Sequence, residues 1–282
     1  MPAIRPRRTI DMAIFRYDGK RVVITGAATG MGNETTRLLL DAGAEVIALD
    51  VAEVPLPGVT YIRTDLGDPA SVAAAVAQLP ERVDVLMNCA GIPGGTRFTP
   101  QEVMAVNVFG LRALTEAVIP RMTGGGAVVH IASIAGGMWH ANVQKIFELL
   151  ATTGYEDGAA WCAANAELVG DGYSFSKQVV QVYTMARSVS AIKQGVRINS
   201  ICPGVTDTKI MPDFRSAMGD KAIDMTADVG IGRLADPREM APAMIFLGSD
   251  EASYVVGVNL VVDGGFTAAA TTGQVDYAKY LA

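Results

Sequence analysis

The run Arg21-Val22-Val23-Ile24-Thr25-Gly26-Ala27-Ala28-Thr29-Gly30-Met31-Gly32 decides the fold of this 282-residue chain. A short β-branched strand passes directly into a glycine-rich turn, and the turn opens a segment of helical period, Met31–Ala42. Glycines there let the chain turn tightly and bring main-chain N–H groups up to a pyrophosphate at the helix N-terminus. A glycine-rich stretch alone is weak evidence, but its surroundings strengthen it. The next apolar run, Glu45–Leu49, arrives at the spacing of a βαβ unit and is followed by Asp50 and Val51. A carboxylate at that strand end accepts hydrogen bonds from both ribose hydroxyls of NAD and repels the 2′-phosphate of NADP. No Arg or Lys stands near the loop to offset the repulsion, so NAD is the expected cofactor.

Working outward, further strand-like runs occur at Val59–Arg63, Val83–Asn88, Ala127–Ala132, Val196–Ile201 and Val258–Val262. Helical segments lie between them at Pro69–Leu79, Pro100–Met122, Gly172–Lys193 and Pro237–Gly248. Strands alternating with helices predict an α/β fold: a doubly wound, Rossmann-type parallel sheet of seven strands with helices on both faces. No repeat, Pro- or Ser-rich linker or low-complexity tract divides the chain, so residues 16–282 read as one domain and residues 1–15 as a flexible arm. One segment, 139–171, breaks the alternation. Val143, Ile146, Phe147 and Leu150 fall at helical spacing, Gly154 interrupts, and an Ala-rich helix is expected over about Asp157–Leu168. The segment reads as a helical insertion ahead of the helix that begins near Gly172.

Composition excludes several function classes. Half of the residues are hydrophobic and 18% are charged, enough for one well-buried core. The net charge is −6, and basic residues are scattered apart from Arg5, Arg7 and Arg8, so a nucleic-acid partner is not expected. No uninterrupted apolar stretch reaches the roughly 18–20 residues that span a bilayer, and no apolar segment follows the arginines as in a secretory signal. Three widely spaced cysteines, Cys89, Cys162 and Cys202, read as buried reduced thiols of a cytoplasmic protein. The two histidines, His130 and His140, have no ligand-spaced partner, so no metal site is expected.

Tyr173-Ser174-Phe175-Ser176-Lys177 places a phenol and an ammonium four residues apart, on one face of a helix. Hydride transfer from an alcohol carbon requires a base for the hydroxyl proton, and a free phenol with a pKa of about 10 is a poor one. A cation ~4 Å away at an effective dielectric of ~20 is worth roughly 4 kcal/mol, about three pKa units. Lys177 and a positively charged nicotinamide ring could both supply it.

In these motifs the chain resembles the short-chain dehydrogenase/reductase family in its single-domain form, from about Gly19 to Gly265. The ordered motifs are the loop with Gly26, Thr29, Gly30, Met31 and Gly32; Asp65-Leu66; Asn88-Cys89-Ala90-Gly91; Asn107 in Val106-Asn107-Val108-Phe109-Gly110; Ser133; Tyr173 with Lys177; and Pro203-Gly204 with Thr206 and Thr208. The resemblance implies a role for each. Asp65 and Leu66 meet the adenine, and Asn88, Ala90 and Gly91 line the cofactor. Ser133 hydrogen-bonds the substrate oxygen, Tyr173 exchanges the proton, and Lys177 lowers the tyrosine pKa and binds the nicotinamide ribose. Asn107 holds a water of the proton relay, while Thr206 and Thr208 orient the carboxamide beside Pro203 and Gly204. Read from the residues alone, the lesser alternatives are a strand-end hydroxyl bound to its own backbone for Ser133 and a helix-kink residue for Asn107.

Two departures from the family pattern stand out. Ser133 and Tyr173 are forty residues apart, far more than in most members, and the stretch between Asn88 and Asn107 is short. Such an insertion is similar to a subgroup that includes bacterial 3α-hydroxysteroid dehydrogenases and coniferyl-alcohol dehydrogenases. Two roles are open to it: an apolar lid of Trp139, Phe147 and Trp161 with His140 at its polar end, or packing against the domain or a second subunit. It could also obstruct the helix-to-helix subunit contact common in the family; a homodimer or homotetramer is the expected assembly of this chain. The tail after Gly265, with Tyr277 and Tyr280, could close over the site or reach a partner subunit. The leading expectation is an NAD(H)-dependent dehydrogenase or carbonyl reductase for a small hydrophobic alcohol or ketone such as a steroid, terpenoid or phenylpropanoid. The alternatives are an NADPH-dependent ketone reductase, opposed by Asp50, and a non-catalytic dinucleotide sensor, opposed by retention of Asn107, Ser133, Tyr173 and Lys177. Enoyl reduction is disfavoured because that branch spaces its tyrosine and lysine further apart.

Overall fold

The computed structural model describes residues 15–122 and 124–281. Strands β1 (Arg21–Thr25), β2 (Glu45–Asp50), β3 (Val59–Arg63), β4 (Val85–Asn88), β5 (Ala127–Ile131), β6 (Arg197–Pro203) and β7 (Asn259–Val262) form one sheet in the order β3-β2-β1-β4-β5-β6-β7. Every neighbouring pair is parallel. This is the doubly wound architecture expected from the sequence, with strand ends shifted by one or two residues. The order reverses between β1 and β4, so the turn after β1 opens at the switch point where such sheets bind ligands.

A parallel sheet covered on both sides buries both faces of each strand, which is why these strands read as continuous apolar runs. Alternate residues feed two cores. Val22, Ile24, Val46, Ala48, Val85 and Met87 meet Leu39 of α1 (Gly30–Asp41) together with Met240, Met244 and Ile245 of the helix Pro237–Gly248. Val23, Ile47, Leu49, Leu86 and Val128 pack on the opposite side against α2 (Pro69–Gln78) and the 100–121 helix. That helix starts at Thr99, whose hydroxyl accepts from Glu102 N (3.2 Å) while the Glu102 carboxylate accepts from Thr99 N (2.7 Å). This reciprocal capping box satisfies two otherwise unpaired donors. The helix runs as α3 (Pro100–Met104), a π turn (Ala105–Gly110) and α4 (Leu111–Val118), ending in a 3₁₀ turn. By length and composition Pro100–Arg121 could cross a membrane, yet more than half of it is buried inside this fold, as a core helix is.

The insertion forms α5 (Val143–Leu150), α6 (Gly154–Ala164) and α7 (Ala166–Val169), followed by the long α8 (Tyr173–Ala191). The Ala-rich helix starts three residues earlier than expected and breaks at Asn165. Its residues build a third core. Ile146, Leu149, Cys162 and Val169 join Met104, Val108 and Phe109 from the π-turn helix and Phe175, Val179 and Val182 from α8. Phe147, read as part of the apolar stripe, is instead 46% exposed, and Leu149 takes the inner position.

Beyond β6 the chain forms α9 (Met211–Met218) and α10 (Asp220–Asp228), then α11 (Pro237–Gly248), α12 (Phe266–Thr271) and α13 (Ala278–Leu281). Helices α9, α10, α12 and α13 were not expected from the sequence. Helix α11 packs along α1, far away in sequence. The arm expected over residues 1–15 lies outside the described residues except for Phe15, whose ring meets Phe246 edge-on at 6.2 Å.

Candidate active site

The turn after β1 is held by its glycines and by Thr25. Gly26 has φ +69°, and a Cβ on it would stand 2.7 Å from Ala90 N; a Cβ on Gly32 would stand 2.1 Å from the Gly26 carbonyl oxygen. Only glycine lets α1 begin so close to β1. The Thr25 hydroxyl accepts from both Cys89 N (3.1 Å) and Ala90 N (3.0 Å), fixing the loop after β4 against the turn. Asp50, at the end of β2, turns its carboxylate back to the same turn: Oδ2 accepts from Ala28 N and Oδ1 from Ala52 N, each at 2.9 Å. Thr29 is exposed, Met31 is partly buried against the first core, and Val51 is 55% exposed beyond Asp50. Across the opening, the Thr208 methyl lies 3.4 Å from where a Gly30 Cβ would sit. Gly204 follows Pro203 because a Cβ there would meet Asp263 at 2.8 Å, and the buried Thr206 donates to the Gly204 carbonyl (3.0 Å).

Asp65 is exposed, its Oδ1 accepting from Gly67 N (2.8 Å), whereas Leu66 is buried and offers only its main chain. Asn88, expected to line the cofactor, is committed to the interior. Its amide donates to Thr115 Oγ1 and to His130 Nδ1, both at 3.0 Å, bracing β4 against β5 and α4. Its neighbours Ala90 and Gly91 stay partly exposed.

Three elements converge on the reacting groups. Ser133 follows β5 and caps a 3₁₀ turn, its hydroxyl accepting from Ala135 N (3.1 Å) and its carbonyl from Gln181 Nε2 of α8 (2.8 Å). Gly136 lets that turn lie on α8, since a Cβ would stand 2.6 Å from the Lys177 carbonyl carbon. The strand-end role weighed for Ser133 and its reach toward the site coexist, for the same side chain lies near enough to the Tyr173 phenol to lower its pKa. Lys177 is buried one helical turn on, donates to the Ile131 carbonyl (2.9 Å), and sits 5.8 Å from the Tyr173 ring centroid. An ammonium carries three donors, so others remain free to face the site.

Asn107 lies inside the π turn, an irregularity of the 100–121 helix. Its Nδ2 donates to the Ile92 carbonyl (3.0 Å) and to Ser176 Oγ (3.1 Å), and its Oδ1 accepts from Ile92 N (2.9 Å). Ser176 in turn donates to the Tyr173 carbonyl (2.7 Å), so Asn107 ties the loop after β4 to the catalytic helix. One Oδ1 lone pair is left. It faces Gly91, where a Cβ would stand 3.3 Å from Oδ1 and 3.5 Å from Lys177 Nζ.

Burial pushes the Tyr173 phenol up to about 12, assisted by the Asp171 carboxylate and opposed by the Ser133 hydrogen bond. The expected fall toward neutrality is thus reversed in the protein alone, because desolvation, joined by the Asp171 charge, outweighs the Ser133 hydroxyl. Burial acts oppositely on the ammonium, bringing Lys177 down to about 8. Sequence reasoning missed Phe214 of α9, whose ring meets Tyr173 edge-on at 4.9 Å, and Asp213, paired with Arg97 at 3.1 Å. These residues carry no motif; an apolar ring near the mouth is legible only once α9 is known. The insertion supplies no such cover. Trp161 stacks on Phe175 (6.0 Å, 9°), Trp139 packs in the third core, and His140 is exposed.

A sheet opened by a glycine turn at its switch point, with a tyrosine and a lysine at the mouth, belongs to the class of oxidoreductases that bind a nicotinamide dinucleotide. Comparison with known proteins agrees. Residues 20–144 match the family model described as short chain dehydrogenase, and residues 161–267 the one described as Enoyl-(Acyl carrier protein) reductase. The residues left between the two matches fall in the insertion. Coniferyl-alcohol dehydrogenase of Pseudomonas sp. (strain HR199 / DSM 7063) is 34% identical over 252 residues, covering 89% of this chain and 98% of its own. The 3-alpha-hydroxysteroid dehydrogenase/carbonyl reductase of Comamonas testosteroni is 31% identical, covering 88% and 96%. The 3-alpha-hydroxysteroid dehydrogenase of Pseudomonas sp. B-0831, solved in complex with NADH, superposes with a TM-score of 0.75 at 28% identity, covering 90% of this chain and 99% of that one. The chain belongs to the short-chain dehydrogenase/reductase family and is an oxidoreductase of alcohols or carbonyls.

Proposed function

We propose that the chain is an NAD(H)-dependent dehydrogenase that interconverts a bulky hydrophobic secondary, allylic or aryl alcohol with its carbonyl. The observation that carries this reading is the convergence of Ser133, Tyr173 and Lys177, with the Ser133 hydroxyl near enough to the half-buried phenol to lower its pKa and Lys177 on the same helix face. The cofactor half fits the residues present. Glycines leave open the space in front of Lys177 Nζ and Asn107 Oδ1, and the Asp50 carboxylate is aimed at the turn that would receive the dinucleotide. An acidic group at that place favours ribose hydroxyls over a 2′-phosphate. When bound, oxidised nicotinamide would accept the hydride and bring a positive charge beside the phenol.

The protein's own part follows from the geometry. Tyr173, as phenolate, takes the hydroxyl proton of the substrate, and Ser133 donates a hydrogen bond to the oxygen as negative charge grows on it. Lys177, charged below a pKa of about 8, favours the phenolate and retains donors for a ribose hydroxyl. Asn107 holds the Ile92 loop and leaves one acceptor site for a water of the proton relay. Phe214, edge-on to Tyr173, gives the mouth an apolar wall, which supports a hydrophobic substrate. Relatives named for coniferyl alcohol and a 3α-hydroxysteroid point the same way. Three free cysteines agree with a reducing, cytoplasmic setting.

Initial rates of NADH formation from NAD test the proposal, measured on hydroxysteroids, terpene alcohols and coniferyl-type alcohols with NADP as control. Turnover of one hydrophobic class with NAD is expected. Equal or faster turnover with NADP would overturn the cofactor assignment, and NADH binding without turnover of any alcohol would overturn the enzymatic one.

A further inference from the structure

The insertion makes one contact whose target lies far from the substrate mouth. Tyr155, in the first turn of α6, donates its phenolic hydrogen to the carbonyl of Leu66 at 2.8 Å, across 89 positions of sequence. Leu66 is the buried member of the turn Asp65-Leu66-Gly67 at the end of β3. The carbonyl is held from a second side by Gly110, where a Cβ would stand 2.2 Å from Leu66 O. The Tyr155 ring is itself fixed. It meets Phe109 edge-on at 6.0 Å, and Gly158, one turn further along α6, leaves room for Phe109, since a Cβ there would stand 2.6 Å from the ring. A second tie, from the Arg112 guanidinium to the Thr152 carbonyl (2.8 Å), keeps the start of α6 against α4. On its outer side the turn is closed by Asp65 Oδ1 accepting from Gly67 N (2.8 Å) and Asp65 N donating to Ser71 Oγ (2.9 Å). Among the described residues, the phenol is thus the one side-chain hydrogen bond on the inner side of a turn otherwise fixed by its own residues and Ser71.

We propose that Tyr155 is a positioning residue for the adenine half of the cofactor, so that the insertion acts on dinucleotide affinity through the Asp65–Gly67 turn. The inference rests on the reading above that Asp65 and Leu66 receive the adenine. Burial holds the phenol well above its ordinary pKa, so it remains a donor across the working range of pH. Removing the hydroxyl leaves a buried carbonyl short of a partner and frees the turn to shift. The loss falls on ligands that use the turn and spares those that do not.

The test is a fluorescence titration of the full chain with NADH and with reduced nicotinamide mononucleotide, which lacks the adenosine half. In Tyr155→Phe, which keeps the ring against Phe109, the Kd for NADH should rise about fivefold, ~1 kcal/mol at 1.4 kcal/mol per tenfold. The Kd for the mononucleotide and kcat at saturating cofactor should stay unchanged. In Asp65→Ala the NADH affinity should fall and the mononucleotide affinity should not. An unchanged NADH Kd in Tyr155→Phe, with Asp65→Ala weakened, would overturn the positioning role and leave the adenine site standing. No effect of Asp65→Ala would remove the adenine site itself and the inference with it. Equal weakening of both ligands in Tyr155→Phe would mean a general loosening of the fold and would also overturn the proposal.

Discussion

At the scale of single residues, each side chain of the candidate site has one clear physical task. Tyr173→Phe removes the group that exchanges the proton, and turnover should fall by roughly 10²–10⁴. Fluorescence titration should find NADH binding almost unchanged; normal activity would end the mechanism. Asp50→Ala removes the carboxylate bonded to Ala28 N, so the preference for NAD over NADP, measured as a ratio of kcat/KM values, should collapse toward unity. His130 gives a different kind of prediction. It is buried in β5, accepts from Asn88, and has an Nε2 without a partner; burial, assisted by nearby Lys177, pulls its pKa to about 3. A folded pKa below the unfolded value means that the unfolded chain takes up the proton first. Stability is therefore complete above pH 6.5 and declines as pH falls toward 3, by roughly 4 kcal/mol at pH 3.5. His130→Asn, which keeps a neutral partner for Asn88, should flatten that decline in thermal melts from pH 7 to pH 4. An equally steep decline in the variant would assign the acid sensitivity elsewhere.

At the scale of elements, the strands, the crossover helices and the Tyr–Lys pair were legible because each is written in local sequence. Apolar runs, a glycine turn and a four-residue spacing need no knowledge of neighbours. Helices α9 and α10 were not legible, for they hold just one buried residue each, Met211 and Ile223, and so show no apolar stripe. Their placement depends on partners distant in sequence: Asp213 on Arg97, Ala217 against Gly95, and Phe214 on Tyr173. The inward turn of Asn88 was illegible for the same reason, since it is set by Thr115 and His130. For the insertion, packing prevailed over the lid reading because its apolar residues find the outer faces of α8 and the π-turn helix. Gly158→Val would drive a branched side chain into Phe109, at a cost of about 1–3 kcal/mol for overpacking. Thermal unfolding should begin several degrees lower, and a melting point unchanged from the parent chain would show that α6 does not bear on Phe109 as described.

At the scale of the whole molecule, the insertion packs on the outer side of α3, the π turn and α8. Among the described residues, no strand pairs with the opposite end of the sheet. Strand β7 is an edge strand whose Val261 is 44% exposed; Tyr254 and Val256, which precede it in the chain, are also exposed, as are Val189 of α8 and Ile192 of the 3₁₀ turn after it. An unprotected apolar edge calls for a partner. A homodimer joined at that edge is the expected assembly, and Val261→Glu should shift the sedimentation coefficient from dimer to monomer; a parent chain that sediments as a monomer would refute it. The long-range packing of α1 on α11 has a further consequence, for the order in which the chain is made. Helix α1 is complete at Asp41, yet the helix that covers it begins at Pro237. At a synthesis rate of about 5–20 residues per second, that wait lasts roughly 10–40 s. Throughout it the apolar flank of the glycine-turn helix waits for its cover, so the nucleotide half of this enzyme cannot mature until Pro237–Gly248 has been made.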